Sequence, residues 1–450
     1  MDRFREMATS KTAIRLFSIL VLLLVGVTLA HAATTGLSTQ TAADVPEAPP
    51  TDNVTVVTES ARAGTLIAYA PNGSVLYYNN SRTKYFDVDP VEGDAMTVEY
   101  TATDTIHTQG PTCSDPPCAY NTIERANLST GEVTELYGRY DYKETAGEWH
   151  DADRIDENRL VVADIVADQV FIVNTETEVV EWLWDAQSEY PVEGGGPYPE
   201  DWAHVNDVEV LDDGRIMVSL RNQDQVVFLD RETGRVDDWT LGEEDDYDIQ
   251  YEQHNPDYIP EEQGGPAVIV ADSENGRVQE FQRVDGEWER SWQWADDRLQ
   301  WPRDADRLPN GNTLIADTNG KRVIEVGHDG DIVWQVPMTH PYDVERLGTG
   351  DESSGGQSAR SLGLESRTAE SPADTESGFD PLAGLSAAVH AVVPHRVVNG
   401  VLYVGPAWMG RLEFFAVGVG AIVGLGWLGA ELSWRFPGIS VRSPVYRKDE

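Results

Sequence analysis

The chain has only five lysines, and its 33 basic residues face 78 acidic ones, for a formal net charge of −45. No basic face is left to neutralise phosphates, which excludes nucleic acid as a partner. Cysteine is almost absent: Cys113 and Cys118 flank a Ser-Asp-Pro-Pro turn and stand alone. With no second cysteine pair and no nearby histidine pair, they read as a local disulfide in an oxidising compartment, not as a redox or metal centre. The nine histidines contain no H-x-H or H-x-x-x-H pair, so no metal is expected. Neither a helix-period segment nor a glycine-rich phosphate loop interrupts the central region, and no dinucleotide cofactor is expected.

What is present begins with the ends. Residues 1–32 carry Arg3, Arg5, Lys11 and Arg15 and then an apolar run to Ala30. The run fits a signal peptide cut after Ala30-His31-Ala32, or an uncleaved signal anchor. Residues 33–60, rich in Thr, Ala and Pro, read as a tether. Near the other end, Phe414 to Ala430 form an uncharged run that reaches spanning length over 412–434 if Arg411 and Glu431 snorkel. Arg435, Arg442, Arg447 and Lys448 follow it in a tail, 435–450, with the sign expected of a cytoplasmic segment. A cell-membrane protein with its bulk on the extracellular side is implied. The acidity, with arginine in place of lysine, resembles proteins of extreme halophiles, whose surface carboxylates stay hydrated in molar salt.

Residues 61–347 read as all-β. Short Val/Ile runs alternate with Asp-Gly and Asn-Gly turns, and an aspartate recurs as Asp151, Asp207, Asp257, Asp304 and Asp343. Intervals of 56, 50, 47 and 39 residues suit one four-stranded propeller blade per repeat. Five blades are clear, and strands between Ala68 and Leu136 add a sixth, giving a six-bladed β-propeller. Residues 348–387 read as a disordered linker, and 388–411 as a membrane-proximal element.

A propeller gathers repeat-equivalent residues around its axis, so side chains about 50 positions apart can share a pocket. His204 and His254 occupy the same register, three before the aspartate. His150, Asn206 and Arg303 sit one before it, and Arg221 ends the second strand of the His204 repeat. Several imidazoles with Arg and Asn suit an anion with three equatorial oxygens, and they offer a nitrogen nucleophile and a proton shuttle. The aspartates are expected to hold turns, and His340, followed by Pro341, is given no chemistry.

The stretch Asp201-Trp202-Ala203-His204-Val205-Asn206, followed by Ser219-Leu220-Arg221-Asn222-Gln223, resembles the signature of the PAPS-independent arylsulfate sulfotransferases. These are secreted six-bladed propellers. Gln253-His254 resembles the family's next blade, whose histidine is the nucleophile, and Trp149-His150-Asp151 the preceding one. The resemblance covers roughly 120–345, and the acidic surface and membrane segments resemble the family's haloarchaeal, membrane-anchored members. Two departures stand out. The turn after His254 reads Pro256-Asp-Tyr-Ile-Pro in place of the family's Pro-Asn-Gly-Asn, and the family's hydroxyl-bearing residue in the last blade has no assigned counterpart.

The resemblance implies a ping-pong transfer from an aryl sulfate to a phenol through a sulfohistidine at His254. His204, Arg221 and Asn206 would stabilise charge, His150 would act as acid and base, and no cofactor would be needed. Two other readings use the same fold. Residues 302–326 resemble NHL-type repeats, which would make the chain a surface propeller for binding or sensing. A lactonase-like hydrolase would want a calcium site at the funnel, for which no residue set stands out.

Overall fold

The computed structural model describes residues 2–36, 41–60, 63–141, 147–296, 298–368, 393–406 and 408–436. It divides into two compact units, one of residues 37–407 and one joining the two chain ends.

The larger unit is an all-β propeller of six sheets around one axis. Blade 1 runs from Lys84 to Asp141, blade 2 from Trp149 to Asp185 and blade 3 from Val205 to Gly242. Blade 4 runs from His254 to Ala295 and blade 5 from Pro302 to Pro337. Blade 6 is composite: the strand Pro341–Arg346 pairs with Thr55–Glu59, which leads into Leu66–Tyr69 and Val75–Asn79. The last strand of the chain therefore zips the ring to its first strands. The strand Thr55–Glu59, expected in a tether, lies fully buried in this seam, with Val45 and Ala48 packed in the same core. Its alternation was hidden by the polar residues on either side.

Alternating Val, Ile and Leu put apolar side chains on both faces of each blade, and adjoining faces bury them against one another. The result is six apolar clusters, one per blade interface. Each buried Val, Leu or Ile contributes about 1.5–3 kcal/mol, so the ring is held around its whole circumference.

The recurring aspartate has a sixth member, Asp87, and these residues fasten the innermost strands together. The carboxylate of Asp343 accepts the N–H of Val88 at 2.8 Å, Asp87 that of Ala152 at 3.4 Å, and Asp151 that of Val208 at 2.6 Å. Asp304 does the same for Val344 at 3.1 Å. Each clip runs from one blade to the next around the axis. Burial pushes the carboxyl of Asp151 up to about 7 and that of Asp153 up to about 6.

Residues 348–368 are not a free linker. Ser353 donates to Asp257, Arg307 N–H donates to Ser353 Oγ at 2.7 Å, and the N–H of Ala359 donates to Glu280. Arg367 forms an ion pair with Asp296 at 3.2 Å. The low apolar content that suggested disorder is offset by buried polar contacts. The rest of the expected linker, 369–387, lies outside the described residues.

The smaller unit pairs two helices, Asp2–Thr35 and Arg411–Arg435, each with a stretch long and apolar enough to cross a membrane. Arg15 Nη2 donates to Glu431 Oε2 at 2.9 Å, and Val25 packs against Gly420. Cys113 and Cys118 form the expected disulfide, with Cα atoms 5.8 Å apart.

Candidate active site

At the entry to most innermost strands the ladder slips: the register shifts between Val205 and Asp207, between His254 and Asp257, and between Pro302 and Asp304. Bulges of this kind bend the strand and re-aim side chains. Just before two of these strands, His204 and Trp301 hold left-handed backbone, at φ 53° and 57°. A bulky non-glycine residue adopts this conformation at a cost, and here it turns both rings into the mouth.

The mouth holds a cavity of about 510 Å³, lined by His150, His204, Arg221, His254, Arg303 and Glu252 among others. Ring centroids of His150 and His204 are 5.3 Å apart, and those of His204 and His254 6.5 Å. Three histidines from three consecutive blades thus meet in one pocket. Asn206 is the exception among the expected site residues. It is fully buried behind the cavity, and its Nδ2 donates to the Gln253 carbonyl at 3.1 Å, bracing the chain just before His254.

Each imidazole has a defined partner. His254 Nδ1 is 2.8 Å from Ser273 Oγ and 3.2 Å from the Glu252 carbonyl. The Ser273 hydroxyl donates to the Pro302 carbonyl at 2.7 Å, so it must accept from His254. The proton therefore sits on Nδ1, and Nε2 keeps its lone pair. His204 Nδ1 donates to Asp201 at 2.6 Å. His150 stacks on Phe86, with centroids 4.3 Å apart, and its Nδ1 is 3.0 Å from the Tyr342 hydroxyl. Burial, reinforced by the positive groups around them, holds both His150 and His254 well below the usual imidazole range.

Two guanidiniums face the imidazoles on different terms. Arg221 is tied to the carboxylate of Glu252. Arg303 donates to Ser60 Oγ at 3.0 Å and lies over the Trp301 ring at 4.3 Å, yet among the described residues it pairs with no carboxylate. A buried cation without a counter-ion makes this pocket receptive to an anion.

The helix His395–Val404, part of the expected membrane-proximal element, lies across this mouth. Arg396 pairs with Glu252 at 2.8 Å, Asn399 Nδ2 donates to Glu274 at 3.0 Å, and Tyr403 packs on Trp301. Asn399 and Leu402 are buried against the propeller, while Val397, Val401 and Val404 stay exposed.

Sequence reasoning left several residues in and behind the pocket unassigned. Tyr342 supplies a hydroxyl from the last blade, one position before Asp343, a register where His150 and Arg303 had already been noticed. Glu252 and Ser273 had no register signal at all.

Residues 148–295 match the family model described as Arylsulfotransferase (ASST). At the level of the family this supports sulfuryl transfer. The matched segment spans blades 2 to 4, which carry His150, His204, Arg221 and His254. No curated protein matches the chain.

Among solved structures, a Bacteroides caccae protein of unknown function aligns at 9% identity and TM-score 0.46, over 65% of this chain and 98% of its own. The periplasmic gluconolactonase PpgL of Pseudomonas aeruginosa aligns at 12% identity and TM-score 0.43, over 66% of this chain and 99% of its own. Virginiamycin B lyase of Staphylococcus aureus aligns at 12% and TM-score 0.32, over 52% and 73%. No chemistry is carried over from them.

Proposed function

We propose that the protein is a membrane-anchored sulfotransferase that moves a sulfuryl group from an aryl sulfate to a phenol through a sulfohistidine at His254. The observation that carries this reading is the Ser273–His254 contact, which leaves Nε2 unprotonated in a cavity beside the unpaired Arg303. A nucleophile needs that lone pair, and a sulfate ester needs that cation.

In the first half-reaction Nε2 attacks sulfur as the S–O bond to the aryl oxygen breaks. The electron pair leaves with the phenolate, which then takes up a proton. Arg221, Arg303 and His204 stabilise the sulfuryl oxygens and the departing oxygen. In the second half-reaction a phenol oxygen attacks sulfur from the same side and the N–S bond breaks. His150, kept neutral by burial, accepts the phenol's proton and is steadied by Tyr342. Asn206 acts from behind, by holding the chain that carries His254. No cofactor enters either step.

The pairing of Arg15 with Glu431 supports an N-terminal helix that is retained. Basic residues at both termini support their placement on the cytoplasmic side, with the propeller outside.

The test uses the full-length protein in detergent and high salt, with a chromogenic aryl sulfate and a phenol acceptor. Acceptor-dependent phenol release should fall by about 10³-fold or more in His254→Ala. Release that survives the substitution would remove His254 as nucleophile. A folded wild type inert toward several aryl sulfates would count against transfer altogether.

A further inference from the structure

Deeper along the strands that carry His254 and Arg303, the clip pattern described above breaks. Asp257 accepts the hydroxyl of Ser353 where the aspartates of blades 1, 2, 5 and 6 accept a strand N–H. Beside it stand Asp304 and Asp306 of blade 5, all three side chains 2% exposed, with one carboxylate oxygen from each lying within 4.8 Å of the others. Among the described residues Asp306 Oδ2 has no hydrogen-bond partner, and neither has Glu345 Oε2 on the next strand. The arginines that end these strands pair elsewhere: Arg307 with Glu280 and Arg346 with Glu325, each at 3.1 Å. The strongest charges acting on the three aspartates are those of other carboxylates.

Buried carboxylates are paired, protonated or bound to a metal, because an isolated buried charge is too costly. Here the convergent groups are all hard oxygen donors, with no His or Cys among them. With one oxygen from each residue within 4.8 Å of the others, a single ion can reach all three, and an all-oxygen set of carboxylates suits a calcium-type ion. Magnesium, which keeps several of its waters, is less suited to a buried all-carboxylate site.

We propose that Asp257, Asp304 and Asp306 form an axial site for one hard divalent cation of the calcium type. The ion cross-links blades 4 and 5 at an interface where the backbone clip is missing. It thereby fixes the His254 strand against the Arg303 strand. Histidine spacing gave no hint of it, since every donor is a carboxylate from the aspartate register or two positions beyond. The site is independent of how the histidine pocket is read.

The experiment takes full-length protein stripped with a chelator, then dialysed against calcium or magnesium, with bound metal counted by elemental analysis and Tm recorded. The expected result is one calcium per chain and a Tm rise of about 5 °C or more over the chelated form, with a smaller response to magnesium. Asp306→Asn should weaken calcium binding by about 100-fold or more, and Asp257→Asn serves the same purpose if that variant does not fold. Wild-type protein that holds no calcium, and whose Tm is the same in chelator and in millimolar calcium, would overturn the proposal in favour of shared protons. Calcium bound equally well by both variants would overturn it by locating the ion elsewhere.

Discussion

Ser273 Oγ stands 2.8 Å from His254 Nδ1 and donates its own hydrogen bond to the Pro302 carbonyl, so a serine on blade 4 and a backbone oxygen on blade 5 together set the tautomer of one imidazole. Ser273→Ala should leave the fold intact and lower kcat by about 10-fold, the worth of one orienting hydrogen bond. Ser273→Thr, which keeps the hydroxyl, should recover most of the loss. Steady-state kinetics on the three proteins decides it.

Arg303 should separate activity from stability. It is buried over Trp301 without a carboxylate partner, so Arg303→Met removes an unpaired charge and should hold or raise Tm. The same variant should lose about 100-fold in kcat/KM for aryl sulfates, because an anion loses its unshared cation. Loss of both together would mean that the arginine is structural.

The pH profile follows from His254. Its imidazole is held below the ordinary 6.5, first by burial and then by Arg303, Arg221 and the other two histidines, so it stays neutral where a free imidazole would charge. The kcat/KM should therefore stay flat from pH 8 down through 6.5 and fall only at lower pH. Stability carries the matching sign. Unfolded chain takes up these protons at about 6.5 while the folded one does not, so the burial of His150 and His254 costs stability as pH drops below 6.5. The acid-side loss of Tm should shrink in His150→Gln.

Arg396 joins the helix over the mouth to Glu252, which also holds Arg221. Arg396→Glu sets two carboxylates against each other and should loosen residues 395–404. Hydrogen exchange there should rise by about 10-fold or more, and KM should fall for bulky aryl sulfates relative to small ones.

The fate of the first helix is open to direct reading. Intact mass of the purified protein should include residues 1–32; a chain beginning at Ala33 would show that the helix is removed.

The fold was readable because the aspartate register and its turns recur, and each blade must repeat both to bury its faces. Asp87 escaped notice because it follows Tyr85-Phe86 and precedes Asp151 by a longer interval than the rest. His150, His204, His254 and Arg221 were legible through register. Asn206 shared that register but is turned behind the cavity, where its amide finds the Gln253 carbonyl. Tyr342 was overlooked in favour of His340 two residues earlier, which is buried away from the other three histidines and pushed down to about 3 by burial. Ser353 and Arg396 reach the propeller from segments with no repeat of their own, so nothing periodic marks them.

The seam of blade 6 has a consequence for the order of assembly. Thr55–Glu59 emerges early in synthesis, but its partner Pro341–Arg346 comes nearly 300 residues later and carries Tyr342 with it. Until that strand arrives the ring stays open, the Val88 N–H lacks Asp343, and His150 lacks its tyrosine. Until closure the chain thus holds three histidines without the tyrosine that backs His150, and the pocket is complete only when the ring is.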